Sequence, residues 1–371
     1  MEIVNATKLI AGYTMGMDPS GRESIVVVVK GTFQIPAVAD IEPRVADEQV
    51  PLVLADEFTG KPGFSATVCE CDYAPGKPLC DVLLNGSAYA PNARPAERVT
   101  VEFSFAGRSK RLDVYGDRVW EQGLLSNGPS EPEPFLIKPI SYDVAFGGCD
   151  TDPDNPAKSM SFPENPIGMG YYPLTKGKHL IGKPLPNTSE TGRPVNQRVG
   201  DYRPMAFGPI GRIFPPRLSF AGTYDDDWQA NVFPFLPADF DPRYFQCAPP
   251  DQQFPYPLGG EEIVLNNLTP HGRTAFRLPR IDMPVEFIDA RYERDEQQAV
   301  LDTIVIEPDM GRFTLAWRAS HPLKRNIIEM RQCVIGRMPR GWYRARNLGK
   351  TYYPSLAALA ATSPGDDEVG V

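Results

Sequence analysis

The most regular alternation of apolar and polar positions runs from Arg98 to Phe105. Val99, Val101, Phe103 and Phe105 fall on one face, and Thr100, Glu102 and Ser104 on the other. A period of two marks a strand with one buried face. Ala106-Gly107 supplies a turn and Ser109 to Tyr115 returns with Leu112 and Val114 on one face, so the spacing predicts a β-hairpin. Ser24 to Ile35 (SIVVVVKGTFQI) has a different signature: four consecutive valines predict a strand buried on both faces, with Lys30, Gly31 and Thr32 as its polar exit. Asp81 to Ala90 (DVLLNGSAYA) predicts a further strand, bent or bulged at Asn85-Gly86, and Val119-Trp120 closes this first block.

From Glu121 to Met205 the periodicity dissolves into Pro- and Gly-rich pieces such as NGPSEPEPF, AFGGCDTDPDNP and ENPIGMGYYP. A structureless span of that length is unusual in a folded protein, so these pieces are expected to be pinned by packing or by a partner. Strand patterns resume at Glu262 to Leu265, Thr274 to Leu278 and Val285 to Ile288. In LDTIVIEPDMGRFTLAWR, Asp309-Met310-Gly311 makes a hairpin turn, and Phe313, Leu315 and Trp317 alternate inward on the return strand. Leu323 to Ile335 fits a helix or a strand equally well. Pro354 to Ala361 predicts a short helix, and SPGDDEVGV from Ser363 an acidic tail. The sum is a mainly β protein, with β-sandwich or barrel-like layers, a long irregular Pro/Gly-rich middle and a few short helices. The pattern divides into an N-terminal β block (1–145), an irregular aromatic-rich insertion (146–257) and a C-terminal β block with its tail (258–371), unless these form one continuous domain.

The insertion carries the stretch from Ala206 to Gln253, which is crowded with aromatic residues and prolines and keeps no period for long. Prolines remove backbone freedom and rings anchor a chain, so the composition predicts a stiff, irregular surface mounted on the sheets. Asp225 can cap a short helix running through Trp228 towards Val232, stopped by Pro234. Asp239 or Asp241 can cap a second, with Pro242 in its first turn and Tyr244-Phe245 on its apolar side. The ring set in this region admits three readings: core, a platform for stacking sugars, or a protein-binding surface.

Composition sharpens this picture at a few points. The 40 prolines and 32 glycines imply many turns and few long helices. The net charge of −9 argues against nucleic-acid binding by the whole chain, yet Arg318 to Lys350 holds nine Lys or Arg residues and one acid, Glu329. That segment reads as a solvated basic face, or as a dock for an acidic partner or for the protein's own acidic surface. No apolar run approaches the roughly 18 residues needed to cross a bilayer, and the first residues lack a secretory pattern, so membrane association is not expected and a cytoplasmic location is.

Chemistry-bearing motifs are sparse. His179, His271 and His321 have no second His or Cys at ligand spacing, and Cys69, Cys71 and Cys80 lack a fourth ligand nearby, so reduced thiols are expected rather than zinc. Asp150, Asp152 and Asp154 resemble the start of a calcium loop, but Pro153, Asn155 and Ser161 stand at positions that such a loop needs otherwise. Phosphate-binding loops, dinucleotide fingerprints, the serine-hydrolase elbow and zinc-protease motifs are absent. Asp225, Asp226 and Asp227 suit helix capping better than paired-acid sugar cleavage. No catalytic residue, cofactor or metal is singled out by these patterns, which leave open a hydrolase whose site is assembled from residues distant in sequence.

Several blocks in order carry a resemblance: VVVKGTF (27–33), DVLLNGSAYAP (81–91), LDVYGDRVW (112–120), SYDVAFGG (141–148), NPIGMG (165–170), FGPIGRIFPPR (207–217), GTYDDDW (222–228) and FPFLPADFDPRYFQCAPPDQQ (233–253). Over about residues 1–320 the chain resembles the domain-of-unknown-function family encoded beside spike, PAAR-repeat and pentapeptide-repeat proteins in type VI secretion clusters of Gram-negative bacteria. The resemblance implies a non-enzymatic cytoplasmic adaptor, or effector chaperone, that binds a secreted effector and helps load it onto the spike/PAAR tip. It supplies no catalytic residues. On that reading Asp225, Trp228, Tyr244, Phe245, Asp251, Gln252 and Gln253 lie at or just beneath the protein-binding surface. The alternative is a carbohydrate-binding or carbohydrate-active β protein.

Overall fold

The hairpin expected from residues 98–115 forms. Arg98–Phe105 pairs antiparallel with Arg108–Tyr115, and Ala106 and Gly107 turn the chain with φ of 48° and 80°. The four residues assigned to its inner face are all buried. The computed structural model that contains it describes residues 1–18, 20–37, 42–124 and 126–362; the acidic tail expected from Ser363 lies outside the described residues.

The hairpin sits inside a five-stranded sheet ordered Thr188–Glu190, Arg108–Tyr115, Arg98–Phe105, Glu262–Asn266, Arg273–Arg277. A six-stranded sheet runs Gln253–Phe254, Cys80–Leu84, Val300–Glu307, Arg312–Pro322, Glu23–Gln34, Ile10–Met17. A four-stranded sheet follows the order Glu2–Asn5, Met330–Ile335, Pro284–Asp289, Arg294–Gln298. Their inner faces meet in one apolar core: Val27, Val29, Phe313 and Leu315 come from the six-stranded sheet, Val101, Phe103 and Leu265 from the five-stranded, and Val285 and Phe287 from the four-stranded. The protein is thus mainly β and layered, and none of the described sheets closes into a barrel. Early and late strands alternate within the sheets, since Cys80–Leu84 pairs with Val300–Glu307 and Arg98–Phe105 with Glu262–Asn266.

Two local expectations change, and one open choice is resolved. Lys30 and Thr32 do not mark a polar exit, because the strand continues to Gln34 and both are buried. A strap formed by residues 45–77 covers that face of the six-stranded sheet and supplies the missing partners. Lys30 Nζ meets Asp72 at 2.8 Å, and the Gln49 side chain accepts from the Thr32 N–H. The expected strand 81–90 breaks at Asn85, after which Gly86–Tyr89 leaves to pair with Ile137–Ile140. Residues 323–335, undecided from periodicity, form a short turn at Ile327–Glu329, closed by an Asn326–Glu329 capping box, and then the strand Met330–Ile335. In the irregular middle, the Asp150 carboxylate accepts from the Leu174 and Thr175 backbone N–H groups, which explains how a loop without periodicity is held.

Candidate functional site

The irregular stretch from Ala206 to Gln253 is fixed by two buried charges, one on the six-stranded sheet and one that ties it to the strap. The first is Asp81, at the start of Cys80–Leu84, with 0% of its surface exposed. Its carboxylate accepts from Lys77 Nζ at 2.7 Å, Gln246 Nε2 at 2.7 Å, and the backbone N–H groups of Cys247 at 2.9 Å and Ala248 at 3.1 Å. Burial alone would raise the Asp81 carboxyl, but the Lys77 charge and these donors outweigh it and hold it below the usual carboxylate range. The second is Arg217 in the helix Pro215–Leu218. Its guanidinium forms a bidentate pair with Glu70 from the strap, and also donates to the carbonyls of Tyr244 (2.9 Å) and Ile210 (2.6 Å). Arg212 joins Glu70 to Asp56 beside it.

Between these anchors residues 219–245 form a projecting lobe. Asp225 caps the helix Asp226–Asn231 by accepting from the Trp228 N–H at 2.8 Å, and Asp241 caps the turn Pro242–Phe245 in the same way through Arg243. Both caps are where the sequence placed them. Asp239 instead cross-braces the lobe through the Thr223 N–H and hydroxyl, and these bonds hold its carboxyl below the ordinary range. Trp228 is half-buried. Its indole N–H donates to the Phe235 carbonyl at 2.9 Å, and its ring meets those of Tyr224 and Phe233 edge to face. The Phe233–Pro234 peptide is cis.

The outer side of this cluster is open. Phe233 is 66% exposed, Tyr224 53% and Phe235 44%, and Ile213 and Leu218 are exposed near its base. Tyr244 and Phe245 are half-buried and pack with Phe240 as a second ring cluster beneath. Asp251 is exposed and paired with Lys110 at 3.1 Å, while Gln253 is half-buried where it pairs with Asp81 across the sheet. Gln252 is buried, and its amide N–H₂ bridges the carbonyls of Val82 and Phe207. Of the seven residues singled out from sequence, Asp225 and Trp228 therefore sit in the lobe, Tyr244 and Phe245 under it, and Asp251, Gln252 and Gln253 in the brace that ties its far end to the sheet. Sequence reading passed over Asp81, Lys77, Arg217 and Glu70. The one local hint was a carboxylate opening the apolar run DVLL.

Replacing Asp225 by Ala is expected to remove about 1 kcal/mol of local stability. Faster exchange of the Trp228 amide, with the global melting temperature nearly unchanged, is the check.

A cavity of about 530 Å³ lies between the strap and the six-stranded sheet, lined by Lys30, Lys77, Arg312 and Arg318 among others. Each of these cations is already paired, with Asp72, Asp81, Glu307 and Asp302 respectively. Burial pushes the Cys69 thiol at its wall up to about 11 and raises the Cys247 thiol well above its ordinary value, so both stay protonated and weakly nucleophilic at neutral pH. Four cations of the basic segment 318–350 are already engaged within the chain. Arg318 is buried on Asp302, Arg337 pairs with Asp282, and Arg331 and Arg346 lie over the rings of Tyr292 and Trp342.

Fold and surface define a layered β protein that carries a rigidly mounted, outward-facing aromatic lobe. Over residues 20–318 the chain matches the family described as "Uncharacterized protein conserved in bacteria (DUF2169)", and it belongs to that family. No curated protein and no solved structure gives a significant match. The matched span contains the lobe and both of its anchors, and ends at the start of the basic segment.

Proposed function

We propose that this chain is a non-enzymatic adaptor that binds another polypeptide, a secreted type VI effector, through the aromatic lobe and helps bring it to the spike/PAAR tip in the cytoplasm. One observation carries the reading: Tyr224, Phe233 and Phe235 stand open to solvent on a lobe whose backbone is fixed at both ends by buried charges. Exposed rings on an ordered backbone suit recognition, because the ordering of the loop has already occurred before the partner arrives. The effector and spike components come from the family resemblance.

A carbohydrate-binding reading has one observation in its favour, the carboxylates Asp225 to Asp227 beside exposed rings. The rings weigh against it. Tyr224 and Trp228 meet at 70° and Trp228 and Phe233 at 87°, so they present no common plane on which a sugar can lie.

Co-expression of the tagged chain with a candidate secreted effector from the same bacterium, followed by size-exclusion chromatography, tests the adaptor. A stable complex is expected, and soluble glycans are expected to leave the melting temperature where it is. Separate elution of the two proteins, or a glycan-dependent rise in melting temperature, would count against the proposal.

A further inference from the structure

Sheet edges expose unpaired N–H and C=O groups, and proteins ordinarily blunt them with short strands, charges, prolines or bulges. Five of the six edges of the three large sheets are blunted in this way. Gln253–Phe254, Thr188–Glu190 and Glu2–Asn5 are short, while Arg273–Arg277 and Arg294–Gln298 are charged. The sixth, Ile10–Met17 (IAGYTMGM), has neither protection. It is eight residues long, carries no charge or proline, and pairs with Glu23–Gln34 without a register shift. Among the described residues it makes no backbone hydrogen bond on its other side. About four residues' N–H and C=O groups therefore point outward along a strand of about 27 Å.

The two faces of this strand differ. Gly12 and Gly16 face the strap, where a Cβ would press on Leu52 and Tyr73 at the first and on Ser24, Val26 and Pro75 at the second. On the opposite face Tyr13 and Met15 are 37% and 39% exposed, an apolar side against which a neighbouring strand can pack. The strand is also continuous with the lobe. The turn after Met17 holds Gly21, whose absent side chain makes room for the Phe235 ring, 2.6 Å from where a Cβ would sit. The Phe235 ring of the lobe thus lies against the turn that follows this unpaired strand.

We infer that Ile10–Met17 is a strand-addition site: an extended, uncharged segment of the protein bound at the aromatic lobe pairs with it as a seventh strand of the six-stranded sheet. The inference rests on the adaptor reading and specifies how the partner is held. Main-chain hydrogen bonds along the edge provide affinity with little sequence demand, and the lobe's rings select what docks beside them.

Hydrogen exchange on the purified chain, alone and in complex with the co-expressed effector, tests it. Amides within Ile10–Met17 are expected to exchange rapidly in the free protein and to be protected in the complex. Tyr13→Lys with Met15→Lys, at partly exposed positions, is expected to weaken the complex about tenfold through two lost cross-strand contacts, with the fold retained by circular dichroism. If the complex forms and these amides stay unprotected, strand addition is wrong and the adaptor reading stands. If no complex forms, both fall. Protection that grows with the concentration of the chain alone would assign the edge to a second copy and overturn the inference.

Discussion

Asp81→Leu is expected to lower the stability of the protein by about 3–5 kcal/mol, the range for removing one partner of a buried ion pair. The substitution leaves the Lys77 ammonium, itself buried, without its counter-ion at 2.7 Å. It also strands the Gln246 amide and the N–H groups of Cys247 and Ala248. These donors belong to the segment that ties the lobe to the sheet, so partner binding is expected to fail with stability. Urea denaturation measures the loss. Adding Lys77→Met is expected to recover part of it, because the uncompensated charge is gone while the three other donors remain unpaired. The same site sets an acid limit. The folded Asp81 carboxyl lies below its ordinary value, so its contribution is complete above the unfolded value and is lost as the pH falls through the folded one. Wild type should therefore lose stability below the usual carboxylate range, and Asp81→Leu should show a flatter decline there.

Phe233→Asp is the second large effect, and it acts on binding. The ring is 66% exposed and touches the lobe through one edge-to-face contact with Trp228. Loss of that contact removes roughly 1 kcal/mol of folding stability at most. At an interface, truncation of a central aromatic anchor is worth about 2–4 kcal/mol, and burying a carboxylate in its place adds to the penalty. The complex with the effector should weaken at least about 30-fold. Titration calorimetry on the purified pair gives the affinity, and circular dichroism confirms the fold. An unchanged affinity would place the partner elsewhere on the molecule.

The contrast between these two residues reflects what a linear pattern contains. Val99, Val101, Phe103 and Phe105 were legible because a strand's inward face repeats every second residue. The caps at Asp225 and Asp241 were legible because a capping carboxylate and the N–H that donates to it lie two or three residues apart. The anchoring role of Asp81 was not, because only Lys77 is local and the segment it holds, at Gln246, stands 165 residues away. Lys30 and Thr32 were misread for the same reason. Their polar groups are satisfied by Asp72 and Gln49 in a strap whose own sequence shows no period. The edge strand Ile10–Met17 escaped notice because Gly12 and Gly16 interrupt any alternation. Those glycines answer to Tyr73, Leu52 and Pro75, which only the folded chain brings near. The aromatic stretch itself was conspicuous by composition. Which of its rings face outward depended on the two charge anchors.

A photo-activatable phenylalanine analogue at position 233, in a chain expressed with the proposed effector, tests the central claim most directly. Phe233 is predicted to form a covalent cross-link to the effector, while the same analogue at the exposed Ile328, outside the lobe, forms none. Cross-linking from position 328 with none from 233 would contradict the account.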